Sequence, residues 1–205
     1  MTPFRLFLAS SNSGKLREYR ELARNSPVQL ELIPDFSAIP AFDETAATFA
    51  ENSAGKALHY SQFTPELVVA DDSGLVVPIL GGAPGVHSAR YAGPGASDTD
   101  RIHKLLSEMT GKHGGERRAR FICVVTLARA GRALAITSGF VDGVLTLEPR
   151  GKDGFGYDPI FFSPELGRTF AEASREEKNY YSHRGRAFRK LLDLLPSAAD
   201  FPTLS

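Results

Sequence analysis

Two adjacent carboxylates, Asp71 and Asp72, close the apolar run LVVA at residues 67–70. Acids at the end of a buried strand raise each other's pKa and cost desolvation energy unless a cation shares the site. Magnesium is the obvious cation, since it takes carboxylate oxygens together with substrate phosphate. Glu44, just ahead of an expected helix, can supply a third oxygen. The alternative is that one aspartate caps a turn while the other faces water.

The loop Ser10-Ser11-Asn12-Ser13-Gly14-Lys15 has the character of a phosphate cradle. Small residues expose backbone N–H groups, the following helix points its positive end at the ligand, and Lys15 adds a full charge. The spacing is not that of a Walker A loop, and a plain helix cap is the competing reading. Lys178, His183, Arg184 and Arg186 cluster where a short helix meets a longer one. They can pair with phosphates or donate to a carbonyl oxygen, or else form a solvated basic face. Phe155, set between Gly154 and Gly156, is placed to stack on a flat base. Asp158 either accepts a hydrogen bond or sets the turn. DDSGL is not a nucleophile elbow, and no histidine spacing suggests a zinc hydrolase.

Positioning these groups takes several elements. Residues 4–9 read as a central strand, the polar turn follows, and Leu16, Tyr19, Leu22 and Ala23 recur at helical spacing. A strand is expected at 28–33. Thr48 and Glu51 suit a capping box, so a helix begins near residue 49. Phe49, Ala50, Ala54, Ala57 and Leu58 form its expected apolar side, with Asn52, Lys56 and His59 together on another face. The strand 67–70 runs into Asp71, and a shaped glycine-rich loop follows Pro78. Ser97 and Asp100 cap a helix over about 98–110. KHGGERR at 112–118 reads as a solvated loop. A strand at 119–129 returns through Ala130-Gly131 as 132–139, and 140–149 is expected as a further, antiparallel strand. After the loop 154–159 and the short strand IFF, Ser174 and Glu177 cap one helix. Ser182 opens the last, whose apolar side is Ala187, Phe188, Leu191, Leu192 and Leu195 and which Pro196 stops.

The fold expectation is therefore a mixed α/β protein with two lobes. It forms a single domain over 1–196 with a frayed tail from Ser197. The 205 residues hold 24 basic and 24 acidic side chains, so nothing in the total charge draws the chain to nucleic acid polymers or to an anionic membrane. Residues 1–111 are net −4 and residues 112–205 net +4. The single cysteine, Cys123, excludes an intrachain disulfide and reads as a buried thiol. No run reaches the roughly 20 apolar residues of a membrane span, no secretory signal is read, and a cytoplasmic location is expected.

Taken together, SSNSGK at 10–15, DETAATFAENSAGKA at 43–57, DDSGL at 71–75, LGGAPGVHSARYAG at 80–93, GFGYDPIFF at 154–162, FAEASREEKN at 170–179 and SHRGRA at 182–187 resemble the inosine triphosphate pyrophosphatases, the Ham1-like family. The resemblance implies two lobes around a central substrate cleft, hydrolysis of ITP, dITP and XTP to monophosphate and pyrophosphate, a magnesium cofactor and a homodimer. It likens Ser10, Asn12 and Lys15 to triphosphate contacts and Lys56 to a charge near the phosphates. Glu44, Asp72 and Asp71 correspond to the metal-linked acids, with Asp72 the proton acceptor and Lys15 beside it in catalysis. Ser73 is similar to a substrate contact, Phe155, Gly156, Tyr157 and Asp158 to the base pocket, and Lys178, His183 and Arg184 to the nucleotide-binding set. Departures from the family pattern stand at Asp43, Arg101, Ile102 and the two tyrosines after Asn179. They are expected to alter the rim or the dimer surface and not the chemistry. The rivals are a Maf-type pyrophosphatase acting on pyrimidine nucleotides, a non-catalytic nucleotide binder and a structural dimer module.

Overall fold

The computed structural model describes residues 4–24, 26 and 28–198. Seven strands hydrogen-bond in the order β2-β1-β3-β4-β5-β6-β7. They are β1 (Phe4–Leu8), β2 (Val28–Leu32), β3 (Leu67–Val76), β4 (Arg118–Arg129), β5 (Arg132–Leu145), β6 (Phe161–Ser163) and β7 (Arg168–Thr169). Five α-helices accompany them: α1 (Ser13–Ala23), α2 (Phe49–Tyr60), α3 (Asp98–Glu108), α4 (Arg175–Tyr181) and α5 (His183–Ala198). The chain divides into two units, one from Met1–Asp72, Cys123–Gly139 and Gly185–Ser205, the other from Ser73–Ile122 and Phe140–Arg184.

In the first unit β1 pairs in parallel with both β2 and β3. Side chains alternate across a strand, and here both faces are covered. Leu6, Leu8 and Val69 join Tyr19, Phe188, Leu191 and Leu195 on the α1 and α5 side. Phe7, Ala9, Val68 and Ala70 join Ala57 and Tyr60 of α2 on the other. Burial on two faces is why LFLA at 6–9 and LVVA at 67–70 read as unbroken apolar runs. Cys123 is buried within the first of these cores.

In the second unit β5 pairs antiparallel with β6, and β6 with β7. One core gathers Leu75, Ile102, Leu105, Met109, Phe121, Tyr157, Phe161 and Phe170. Ser97 with Asp100 and Ser174 with Glu177 form reciprocal capping boxes at the starts of α3 and α4, as the spacing predicts. Between β4 and β5, Ala130 and Gly131 both take positive φ, at 48° and 72°, the two-residue hairpin turn that matches strand twist.

Several expectations are corrected. The segments 132–139 and 140–149 are not two strands, because β5 runs unbroken from Arg132 to Leu145. Asp71 and Asp72 lie inside β3, which continues to Val76. The buried face of α2 is largely its polar one, with Asn52, Ser53 and Lys56 beside Ala57 and Tyr60, whereas Ala50 is exposed. Ser53 Oγ donates to the Ala70 carbonyl at 3.2 Å and meets Thr126 Oγ1 at 2.9 Å, so partners offset its burial. KHGGERR is not wholly solvated, because Arg117 is buried and donates to the Leu145 carbonyl at 2.7 Å and the Met109 carbonyl at 3.2 Å. Pro196 does not stop α5, which closes with Ser197 and Ala198. The rest of the expected fray, 199–205, lies outside the described residues.

Candidate active site

The parallel strands β1 and β3 end unequally. Leu8 is the last residue of β1, and Ala9 N–H still donates to the Val69 carbonyl at 2.9 Å, but β3 runs on. The Asp71 carbonyl thus lies past the reach of β1, and two lysines bond it: Lys56 Nζ at 3.0 Å and Lys15 Nζ at 3.5 Å. This is the carboxyl end of the parallel strands, the usual ligand side of such a sheet.

Strand alternation separates the two acids. Asp71 follows Val69 toward the α1 side, where its Oδ2 pairs with Lys15 Nζ at 3.0 Å and accepts the Cys123 thiol at 3.7 Å. Asp72 shares the face of Val68 and Ala70 and meets α2, accepting from Asn52 Nδ2 at 3.0 Å. The like charge that acts on Asp72 is Glu44. Burial pushes the Asp72 carboxyl above its usual range and Glu44 adds to this, while Lys15, Asn52 and Lys56 oppose it without reversing it. Lys56 pairs with Glu44. Burial works against its charge, yet Asp71, Glu44 and Asp72 together hold its pKa above the ordinary lysine value.

Asn12 is the N-cap of α1, its Oδ1 accepting from Lys15 N at 3.0 Å, and Ser10 Oγ accepts from Asn12 N at 3.2 Å. The loop is therefore a helix cap, and the same turn presents the positive end of α1 beside Lys15. Glu44 and Asp72 suit a hard cation, because both offer carboxylate oxygen and their charges interact. No group of three His, Cys, Asp or Glu side chains able to hold a metal forms among the described residues. Two protein carboxylates with phosphate and water completing the shell is magnesium's ordinary arrangement. Asp71, expected in that set, pairs with Lys15 and accepts the Cys123 thiol.

The second unit builds a different arrangement around the loop 154–158. Gly154 has φ +78°, and a Cβ there would stand 2.1 Å from Asp158 Oδ2. Only glycine lets that carboxylate fold back, accept Phe155 N–H at 2.8 Å and pair with Lys178. Lys178 Nζ lies 4.8 Å and Arg184 Cζ 5.5 Å from the centre of the half-buried Phe155 ring. Arg184 Nη2 donates to Ser73 Oγ at 2.8 Å. His183 stacks on Phe121, with ring centres 4.6 Å apart and planes 6° from parallel, a packed position in the core. Tyr157 Oη donates to the Ser88 carbonyl at 3.0 Å, and its burial pushes its pKa up. A fixed, partly open aromatic ring flanked by cations is a platform on which a base can stack.

The expected residues thus fall into two sets. Ser10, Asn12, Lys15, Glu44, Lys56, Asp71 and Asp72 belong to the first unit, and Ser73, Phe155, Gly156, Tyr157, Asp158, Lys178, His183 and Arg184 to the second. Sequence reasoning missed Asp98, whose Oδ2 accepts Gly156 N–H at 2.7 Å and whose Oδ1 pairs with Arg101. Arg101 therefore braces the loop 154–158 through Asp98, and Ile102 is a core residue and not a rim change. No local signal marks the bond from Gly156 to Asp98, because those residues lie 58 apart along the chain.

A family model described as the Ham1 family matches residues 6–194. The dITP/XTP pyrophosphatase of Geobacillus kaustophilus (strain HTA426) is 47% identical over 186 residues, 91% of either chain. That of Gloeobacter violaceus is 50% identical over 188 residues, 91% of this chain and 92% of the relative. The solved structure of a HAM1 protein from Coxiella burnetii superposes with a TM-score of 0.83 at 42% identity, covering 95% of this chain and 99% of that one. Matches of this extent, over strands, loops and both residue sets, mean that the chain belongs to the Ham1 family and has its mixed α/β fold.

Proposed function

We propose that this protein hydrolyses ITP, dITP and XTP to the nucleoside monophosphate and pyrophosphate, removing deaminated purines from the nucleotide pool. The observation that carries the reading is the convergence of Lys15 and Lys56 on the Asp71 carbonyl beside the buried Asp72. Two cations and a buried carboxylate at the carboxyl end of parallel strands suit a phosphoanhydride. The substrate class is supported by the relatives, which carry the name dITP/XTP pyrophosphatase.

In this reading the oxygen of a water bonds to phosphorus at the α–β phosphoanhydride, the bridging P–O bond breaks, and pyrophosphate leaves. Asp72 takes the proton of the attacking water. Lys15 and Lys56 offset the charge that builds on the phosphate oxygens. Glu44 and Asp72 would hold a magnesium ion, which when bound supplies charge stabilisation to the phosphates. Phe155 stacks on the base, and Lys178 with Asp158 holds the loop that carries it. Arg184, directed by Ser73, donates to the C6 carbonyl of hypoxanthine or xanthine. Adenine presents an amino group there, leaving a buried donor unmatched at a cost of about 1–3 kcal/mol. The reading carries with it a homodimer, as the resemblance implies, and the cytoplasmic location expected from the sequence.

The test is product release from a nucleotide panel with and without magnesium, quantifying monophosphate, pyrophosphate and orthophosphate. ITP, dITP and XTP should far exceed ATP and the pyrimidine nucleotides. Asp72→Asn should lower turnover roughly a hundredfold or more while ITP binding stays within about tenfold. Preference for dTTP or UTP, or unchanged turnover in that variant, overturns the assignment.

A further inference from the structure

Glu44 lies on a segment, residues 40–47, without regular secondary structure, so something outside it must set where its carboxylate stands. The face of α2 does this. His59 Nε2 lies 2.7 Å from the Pro40 carbonyl oxygen, and Tyr60 Oη accepts Phe42 N–H at 3.3 Å. The Phe42 ring rests on Gly55, where an added Cβ would be 2.5 Å from Cζ. Asn52 then clasps Ala46, its Oδ1 accepting the Ala46 N–H at 3.0 Å and its Nδ2 donating to the Ala46 carbonyl at 3.4 Å. The same Nδ2 donates to Asp72 Oδ2 at 3.0 Å.

We propose that Asn52 is a positioning residue that fixes Glu44 and Asp72 relative to one another, clasping the Glu44 segment with one side of its amide and orienting Asp72 with the other. The inference rests on the reading of those two acids as the magnesium pair. Asn52 is fully buried, and its oxygen and both N–H groups are used, which leaves one amide orientation consistent with its partners. An amide suits the task because it aligns a carboxylate without neutralising it, so the full charge remains for a cation. A lysine there would compete with the ion. Groups that orient metal ligands in this way commonly carry 10–100-fold effects when removed.

The experiment compares wild type, Asn52→Ala and Asn52→Ser by two readouts. Manganese binding is followed by electron paramagnetic resonance in the presence of α,β-methylene-ITP, and ITP hydrolysis is resolved into kcat and KM across a magnesium titration. Both variants should weaken manganese binding about tenfold or more, raise the magnesium needed for half-maximal rate in parallel and lower kcat. ITP KM at saturating magnesium should move less than about threefold. Asn52→Ser, which keeps a polar atom, gives the comparison if Asn52→Ala does not fold. Wild-type manganese affinity in a folded variant overturns the positioning role. Absence of manganese binding by the wild type would instead overturn the magnesium reading on which it rests.

Discussion

Replacing Lys178 with methionine tests whether the loop 154–158 is held by a buried ion pair. The Lys178 and Asp158 side chains are 6% and 3% exposed, so the substitution keeps the aliphatic stem and strands a carboxylate away from water. Breaking one side of a buried pair costs about 3–5 kcal/mol, whereas replacing both members is often close to neutral. For a chain of this length each kcal/mol moves Tm by about 2–4 °C, so Lys178→Met should melt roughly 6–20 °C below wild type. Asp158→Asn retains an acceptor for Phe155 N–H, which Asp158 receives at 2.8 Å, and combined with Lys178→Met it should recover most of the loss. Thermal and urea denaturation of the nucleotide-free protein give the cycle. Near-wild-type melting of Lys178→Met, or a double variant that loses the sum of the two singles, would refute the argument.

Three other outcomes follow from the same geometry. Asp72 has a folded pKa above its unfolded one, so the unfolded chain sheds this proton first as pH rises. Stability then falls between the two values and stays reduced above both. Asp72→Asn should therefore raise the Tm of the metal-free protein at pH 7, with the difference vanishing below about pH 3.5; a lowered Tm at pH 7 would contradict this. Gly154→Ala meets both a positive φ and Asp158 Oδ2. It should cost about 1–2 kcal/mol in backbone strain alone and raise ITP KM about tenfold in steady-state kinetics, and an unchanged KM counts against the loop assignment. Arg117→Met withdraws donors from the carbonyls of Leu145, Met109 and Thr146. About 2–5 kcal/mol should be lost in urea denaturation, and a change below about 0.5 kcal/mol would show that those carbonyls find other donors.

What the chain determines locally was legible from residue order. The caps of α2, α3 and α4 rest on bonds three residues apart, and the hairpin turn on two residues of positive φ. Strands buried on both faces betray themselves as apolar runs, and the motifs that carry the family resemblance are contiguous. Periodicity misled at α2, because its inner face is polar and meets acids and a threonine from distant strands. A reader of the sequence also sees Asp71-Asp72 as a pair, yet strand alternation turns one toward Lys15 and Cys123 and the other toward Asn52. Asp98 under Gly156, Asn52 between Ala46 and Asp72, and the burial of Arg117 come from contacts between residues far apart along the chain. Residue type and spacing announced which groups could do chemistry. Register and packing between distant segments decided which of them meet, since a side chain's partner across a sheet is set by the neighbouring strand's alignment and not by its own sequence.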